Sequence, residues 1–192
     1  MTDNDVSPHA LATPKVSIAD GGIETALEER LGIELREFAA FALLDTDEGR
    51  AALEEYYRPF IQLAASEGTP LVLDTPTWRA SPDWGRLLGY DLAGLTRINE
   101  AAARLVRETS EKLAPGLDLT VSGCIGPRYD DEATDTATSM TPAEAADYHA
   151  PQIRALAAGG VDRVGAVTMA NAAEAIGIVR AAREIGVPVT VS

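Results

Sequence analysis

Five short apolar segments, separated by longer segments of helical period, constrain the fold of this chain of 192 residues more than any other feature. They are Val16–Ala19, Leu71–Leu73, Leu119–Ser122, Arg163–Val167 and Val187–Val191. Short, mostly apolar strands of this kind are typical of parallel sheets whose two faces are both covered. Strands that alternate with helices predict βαβ units with right-handed crossovers. We therefore expect an α/β protein built on a parallel sheet.

The helices between these strands are predicted from the residues at their ends. The four predicted helix starts are Asp45, Asp91, Thr141 and Asn171. Each has a short polar side chain that can accept a hydrogen bond from the first helical turn. Glu48 and Glu144 follow two of these starts by three residues, which is typical of a capping box. Pro151 predicts a kink or a break in the third of these helices.

Two closures of a parallel sheet remain, the doubly wound open sheet and the (β/α)8 barrel. No G-x-G-x-x-G follows the first strand and no G-x-x-x-x-G-K-[ST] occurs, so the nucleotide-binding open sheets lose their main support. The pattern favours a TIM-barrel type fold, and a complete one takes eight units in roughly 250 residues. We expect about the first five βα units here, with residues 1–14 as a flexible tail and residues 15–192 as a barrel domain incomplete at its C-terminus.

Charge and composition exclude several classes of partner. The chain carries 16 basic and 30 acidic residues, a net charge of −14 that repels phosphate backbones, so we expect no nucleic-acid partner. The longest uninterrupted apolar run, Phe38–Leu44, is far shorter than the roughly 20 residues of a membrane span. The acidic N-terminus is unlike a signal peptide. With one cysteine no internal disulfide can form, and these features together predict a cytoplasmic protein.

Polar residues follow each predicted strand, at the edge of the sheet where parallel α/β proteins place their active sites. The candidate functional residues there are Asp20, Gly21, Asp74, Thr75, Thr77, Trp78, Arg79, Gly123, Gly126 and Thr168. Simpler interpretations stay open at this point. Asp20 and Gly21 also suit an ordinary turn, and Asp74 with Arg79 also suits a local ion pair.

Other conspicuous residues are interpreted as structural. Cys124 is expected to be a small buried apolar residue, and His149 a packing or surface histidine. Residues 123–128 resemble a phosphate loop only superficially, because the lysine and the helix start are missing. Trp84 and Tyr90 either cover the mouth of the barrel or simply pack.

The order of four segments is more specific than any one of them. DGGIETALEERLGI, LVLDTPTWRASPDWGRLLGY, VSGCIGPR and YHAPQIRALAAGGVDRVGAVTMANAAEAIGI together resemble the homocysteine S-methyltransferase family, which includes betaine-dependent, S-methylmethionine-dependent and cobalamin-dependent enzymes. The resemblance covers residues 16–192 and corresponds to the N-terminal five or so units of that family's barrel. It implies methyl transfer to homocysteine or a related thiol, a zinc ion that activates the thiol, a methyl donor as second substrate and a role in methionine biosynthesis.

The resemblance also implies roles for residues of this chain. Asp20 and Gly21 would contact homocysteine. Thr75 and Thr77 would line the pocket, with Trp78 and Arg79 at its mouth, and Gly123, Gly126 and Pro127 would form part of the same wall.

Three departures from the family pattern are visible. The family has a Glu-Thr pair after the fourth strand that holds the homocysteine amino group, and Val167-Thr168 stands there in this chain. The family's zinc cysteines lie beyond the position of Ser192, and Cys124 matches none of them, so this chain is expected to hold no metal by itself. Arg79 stands where the betaine-type enzymes have an aromatic residue, and it suits an anionic group better.

Three hypotheses follow. The first is a methyltransferase of homocysteine or a related thiol, completed by a zinc-bearing C-terminal half. The second is a barrel enzyme of altered chemistry that binds an anionic small molecule. The third is a non-catalytic half-barrel that self-associates, since five parallel strands leave two open edges.

Overall fold

The computed structural model describes residues 16–129 and 140–192, so the predicted tail at residues 1–14 lies outside the described residues. The described residues contain one parallel sheet whose five strands are β1 (Ile18–Ala19), β2 (Leu71–Asp74), β3 (Leu119–Ile125), β4 (Arg163–Ala166) and β5 (Val189–Val191). All five predicted strands are confirmed. Strand order in the sheet follows chain order from β1 to β5. A doubly wound sheet would reverse direction at a switch point, so this order is that of an incomplete (β/α) barrel.

Helices connect and cover the strands. Their bounds are α1 (Ile23–Glu29), α2 (Asp47–Glu67), α3 (Pro82–Leu88), α4 (Leu92–Leu113), α5 (Pro142–Gly159) and α6 (Ala172–Ile185). Two 3₁₀ segments, Arg36–Phe38 and Ala40–Asp45, lead from α1 into α2. None of the described helices is both long enough and apolar enough to cross a membrane.

Three of the four predicted helix caps are confirmed. The side chains of Asp91, Thr141 and Asn171 each accept a hydrogen bond from a backbone N–H of the first helical turn, and Thr141 forms the complete capping box with Glu144. The prediction of Asp45 was wrong. Asp45 ends the preceding 3₁₀ segment, and Thr46, whose backbone is extended, accepts from the Gly49 N–H at 3.0 Å.

Pro151 does not break α5, which runs continuously from Pro142 to Gly159, so the predicted break was wrong. The proline is exposed, and so is Asp147, whose carbonyl would have bonded to the missing N–H. Water can therefore reach that carbonyl. The opposite side of the helix is fixed in the core by Ile153 and Leu156, both fully buried. Burial of that face outweighs the lost hydrogen bond.

The core consists of two groups of buried side chains. One includes Leu27 of α1, Phe41, Tyr57 of α2 and Leu73 of β2. The other includes Ile178 of α6 together with apolar residues of β3, β4 and α5. Both groups fix helices against the sheet, and the polar segments that follow each strand converge at its C-terminal edge.

Candidate functional site

Asp20, which directly follows β1, is held by two other elements. Its Oδ1 accepts a hydrogen bond of 2.8 Å from the backbone N–H of Asp74, at the end of β2. Its Oδ2 lies 3.0 Å from the hydroxyl of Tyr56 on α2, and that hydroxyl also lies 3.2 Å from the carbonyl of Gly21. The structure thus brings together the predicted residues Asp20, Gly21 and Asp74 and adds Tyr56, which the sequence analysis did not single out.

Burial raises the pKa of Asp20 from its ordinary value of 3.8 to about 7. The hydrogen bond from the Asp74 backbone acts in the opposite direction, the negative charge of Asp74 raises the pKa further, and the Tyr56 hydroxyl lowers it. A carboxyl group with a pKa near 7 changes charge in the physiological range. Groups of this kind cluster at functional sites.

Glu24 is a second perturbed carboxyl group, and the sequence analysis missed it. It lies in the first turn of α1 with 7% of its surface exposed, and burial raises its pKa from 4.5 to about 7. The backbone N–H of Glu24 itself and the charge of Arg79 lower this pKa, and the charge of Asp74 raises it. A signal was present, because Glu24 follows Asp20 by four residues and precedes the buried Leu27 by three, which places it on the inner face of a helix.

Asp74 completes a group of three carboxyl groups that we call the acidic cluster, namely Asp20, Glu24 and Asp74. Burial raises the pKa of Asp74, while the Ser122 hydroxyl and the positive charge of Arg163 lower it. The register of the sheet explains these neighbours, since Asp74 pairs with Ser122 on β3 and Ser122 pairs with Arg163 on β4. Arg163 therefore acts on Asp74, and within the described residues no ion pair joins Asp74 to Arg79.

The candidates Thr75 and Thr77 lie fully buried beside Cys124 of β3. The Thr77 hydroxyl donates to the Cys124 carbonyl at 2.7 Å, and the Cys124 N–H donates to the Thr75 Oγ1 at 3.0 Å. The two hydroxyls are 2.6 Å apart. Since the Thr77 proton is already used, the Thr75 hydroxyl donates across that contact. This ring of hydrogen bonds fixes the segment after β2 to the end of β3.

Cys124 is buried, as predicted. Burial raises the pKa of its thiol well above the ordinary value, and the charges of Asp74, Glu24 and Asp20 raise it further. This shift disfavours the thiolate form of Cys124 and therefore its use as a nucleophile.

Trp78, Gly126 and Thr168 meet across three loops. The Trp78 indole N–H donates to Thr168 Oγ1 at 3.1 Å, and the Gly126 N–H donates to the Trp78 carbonyl at 2.9 Å. A Cβ atom at Gly126 would lie 2.6 Å from the Trp78 side chain, so only glycine fits. Thr168 has a backbone φ of 59°, which is a strained conformation for a β-branched residue.

Arg79 is packed among aromatic rings. Its guanidinium carbon lies 3.9 Å from the centre of the Trp84 ring and 4.8 Å from that of Trp78, and the guanidinium donates to the Glu37 carbonyl. Trp84 thus packs against Arg79. Tyr90 packs edge-on against Phe41, with ring centres 5.3 Å apart. Trp84 and Tyr90 therefore pack against neighbouring side chains, which supports the second of their two interpretations.

The last predicted glycine, Gly123, faces a helix. A Cβ atom there would lie 3.0 Å from the Leu156 side chain of α5, so the residue allows β3 and α5 to pack closely. This requirement accounts for glycine at the position whether or not a ligand lies nearby.

A second buried polar group lies between α5 and α6. His149 is fully buried, which confirms the packing interpretation and excludes the surface one. The Nε2 atom of His149 lies 2.8 Å from Oε1 of Glu174, which also accepts a 2.7 Å hydrogen bond from the backbone N–H of Arg128. The amino-acid sequence does not reveal this pair, because the two residues are 25 positions apart and only the tertiary fold joins them.

The described residues do not fit a zinc site. No three His, Cys, Asp or Glu side chains among residues 16–129 and 140–192 are arranged to hold a metal ion. The carboxylates of the acidic cluster lie on three separate elements, namely the loop after β1, the end of β2 and the first turn of α1, and Cys124 is the single cysteine of the chain. Sites of structural or catalytic zinc need three or four converging ligands.

The strand order and the polar groups at the C-terminal edge are those of an incomplete parallel (β/α) barrel. Residues 17–192 match the family model described as homocysteine S-methyltransferase, and the chain belongs to that family. No curated protein sequence matches the chain.

Solved structures share the fold. The oxidized form of the homocysteine methyltransferase MmuM from Escherichia coli superposes with a TM-score of 0.69 at 21% identity, over 88% of this chain and 59% of that one. Its metallated form gives 0.68 at 21% identity with the same coverage, and its apo form gives 0.60 at 20%, covering 88% and 56%. The chain thus spans less than two thirds of the length of these structures.

Proposed function

We propose that this chain is the substrate-binding part of an S-methyltransferase that transfers a methyl group to homocysteine or a related thiol. The observation that carries the proposal is the placement of Asp20. In a chain of this family, its carboxylate lies at the C-terminal edge of β1, fixed by the Asp74 backbone and by Tyr56. A fixed carboxylate at that edge suits the amino group of an amino-acid thiol.

The charge of the site supports a cationic ligand group over an anionic one. The acidic cluster would repel an anion, and the pKa values of Asp20 and Glu24 are already raised to about 7. Arg79, the residue that favoured an anionic ligand, is stacked on Trp84 and bonded to the Glu37 carbonyl. The hypothesis of altered chemistry on an anionic molecule therefore has less support.

The chemical step needs groups beyond those described. Asp20 would bind and orient the substrate, and the aromatic residues near Trp78 would limit the access of water to it. Since the described residues do not fit zinc, none of them is assigned a step through a metal. We propose that a C-terminal half of the barrel, on a longer product or on a separate chain, carries the zinc ligands. The metallated form of MmuM is consistent with this proposal.

Self-association is a second proposal, favoured by the edges of the sheet. Within the described residues β1 and β5 each have a strand on one side only, and Val16 and Val191 are 78% and 44% exposed. Natural sheets pair or cover such edges. Sedimentation of the purified chain as a monomer at micromolar concentration would exclude a self-associating half-barrel.

We also propose a cytoplasmic location, supported by the single cysteine, and a role in methionine biosynthesis, supported by the family.

Calorimetric titration with L-homocysteine tests the main proposal. We expect binding that is weakened at least ~10-fold in Asp20→Asn. The matched control is Asp118→Asn, which makes the same chemical change on an exposed residue just before β3, at the opposite edge of the sheet. Equal affinity in the wild type and in D20N would contradict the proposal. The full product of the native gene is then expected to form methionine from homocysteine with betaine or S-methylmethionine as donor.

A further inference from the structure

Glu24 has a carboxylate oxygen that the fold leaves without a partner. Its Oε1 is buried and accepts no hydrogen bond, and it is the only carboxylate oxygen in that condition among the described residues. The side chain is 7% exposed, so water does not readily replace the missing donor. Burying a polar group without a hydrogen bond is unfavourable, and burying a charge is more so. Such a group points to a donor that the protein itself does not supply.

The surroundings of Glu24 identify the kind of donor. Asp74 raises the pKa of both Glu24 and Asp20, and all three carboxylates raise the pKa of Cys124. Asp20 directly follows β1, Glu24 lies in the first turn of α1, and Asp74 is the last residue of β2, so the acidic cluster lies at the C-terminal edge of the sheet. The charge of Arg79 lowers the pKa of Glu24 and that of Arg163 lowers the pKa of Asp74, and the neighbouring hydroxyls are those of Tyr56 and Tyr57. Among residues 16–129 and 140–192, these carboxyl groups outnumber the two arginines that act on them, and a ligand with a positive charge would favour their ionised forms.

The positive charge is better supplied by an ammonium group than by a metal ion. The described residues provide no arrangement of three ligands for a metal. An ammonium group donates three hydrogen bonds and tolerates a wider range of acceptor positions. At the end of β4, where an additional acid could stand, the chain has the apolar Val167.

We propose that Glu24 is a substrate-binding residue whose Oε1 accepts a hydrogen bond from the ammonium group of the amino-acid substrate, with Asp20 as the second acceptor. This inference rests on the proposed function and adds the residue that sets the preference for an amine. Asp20 has already given one lone pair to the Asp74 N–H and one to Tyr56, but each carboxylate oxygen can accept a second hydrogen bond. Glu24 has an oxygen free for this purpose.

The test compares two ligands and two variants by calorimetry at pH 8. L-homocysteine carries the amine, and 4-sulfanylbutanoic acid has the same thiol and carboxylate without it. Glu24→Gln is expected to weaken homocysteine binding about 10- to 100-fold and to leave the binding of 4-sulfanylbutanoic acid within about twofold. The matched control is Glu29→Gln, an exposed residue of the same helix, which should change neither affinity.

The outcomes separate this inference from the proposed function. Homocysteine binding that is lost in D20N but intact in E24Q overturns the role of Glu24 and leaves the proposed function standing. A wild-type chain that does not bind homocysteine overturns both. An equal loss of both ligands in E24Q also contradicts the inference, because it shows a structural effect.

A second variant and a second readout cover the case in which E24Q does not fold. Glu24→Asp keeps the charge but withdraws the carboxylate, so we expect it to weaken homocysteine binding as well, with Glu29→Asp as its control. Proton release gives an independent signature, because an ammonium group lowers the pKa of the carboxylate that it contacts. Calorimetric titration with homocysteine at pH 7, in two buffers of different ionisation enthalpy, gives the number of protons released on binding. This number should be larger for the wild type than for the Glu24 variant. Equal release by the two proteins would contradict the inference.

Discussion

The backbone N–H of Asp74 donates a hydrogen bond of 2.8 Å to Oδ1 of Asp20, which joins the end of β2 to the first polar side chain after β1. The two residues are 54 positions apart, so the contact exists only when the two strands are paired. It orients the Asp20 carboxylate before any ligand arrives. Orientation in advance reduces the free energy that a ligand must supply to order the site.

Tyr56 is expected to tune Asp20. Tyr56→Phe removes the hydroxyl that lowers the pKa of Asp20, so that pKa should rise above its value of about 7. The free energy of unfolding should fall by about 0.5–1.5 kcal/mol. Carboxyl NMR titration measures the first effect and urea unfolding the second. Tyr57→Phe is the matched control, because its hydroxyl donates to the Asp74 carbonyl at 2.8 Å and not to Asp20. An unchanged pKa of Asp20 in Y56F would contradict the prediction.

Stability is expected to fall as the pH rises from about 4 to about 7 because of Asp20 and Glu24. Their ordinary pKa values of 3.8 and 4.5 apply to the unfolded chain, and both values are about 7 in the folded protein. Well below pH 3.8 both groups are protonated in both states and their contribution is fully present. Between the two values the unfolded state loses protons first, so each group lowers the free energy of unfolding by up to about 1.4 kcal/mol per pH unit.

Urea unfolding at pH 5, 6 and 7 checks this dependence. Asp20→Asn cannot ionise, so its stability relative to the wild type should increase steadily over this range, and Glu24→Gln should behave in the same way. For the exposed Asp118→Asn, the difference in the free energy of unfolding from the wild type should stay constant over this pH range. A constant difference for D20N would show that Asp20 titrates at its ordinary pKa.

Gly126 is expected to tolerate no side chain. In Gly126→Ala the added Cβ atom would lie 2.6 Å from Trp78, so the indole ring must move away from Thr168. Overpacking of this kind costs roughly 1–3 kcal/mol of stability. Thermal unfolding and tryptophan fluorescence measure the two effects. Gly21→Ala is the control, since nothing lies within 4 Å of a Cβ atom at that position and its backbone φ is not positive. If G126A and G21A unfold at the same temperature, the close contact with Trp78 is not limiting.

Glu174 is expected to stabilise the loop after β3. Glu174→Ala leaves the N–H of Arg128 and the Nε2 of His149 without their acceptor, which should cost about 1–3 kcal/mol. Glu174→Gln keeps an acceptor oxygen and should recover much of the loss. Glu184→Ala, on an exposed position of the same helix, should cost under about 0.5 kcal/mol. Denaturant unfolding of the three variants checks this order, and E174A as stable as E184A would refute it.

Local signals account for what the sequence predicted well. The caps Asp91, Thr141 and Asn171 act on N–H groups two or three residues away, so the sequence contains all that they need. Thr46, the observed cap of α2, shows where local signals are insufficient. Asp45 belongs to the preceding 3₁₀ segment, and that segment depends on the burial of Phe41 and Leu44. The boundary of that helix therefore depends on the core.

The site was predicted only in part for a related reason. Strand ends identified Asp20 and Asp74, since parallel topology alone places them at one edge. Glu24 and Tyr56 lie on helices, and their roles follow from how those helices pack. The choice between Arg79 and Arg163 as the neighbour of Asp74 depended on strand register, which the amino-acid sequence does not display directly.

The agreement between strand order and chain order has a kinetic consequence. Each strand from β2 onward pairs with the one that precedes it in the chain. During translation, each described strand from β2 onward is therefore synthesised after the strand with which it pairs. Each pairing still joins distant positions, such as Ile18 with Leu71 and Val164 with Val189, so parallel pairing of this kind is slower than the formation of local contacts. The sheet can grow in the direction of synthesis, one unit at a time.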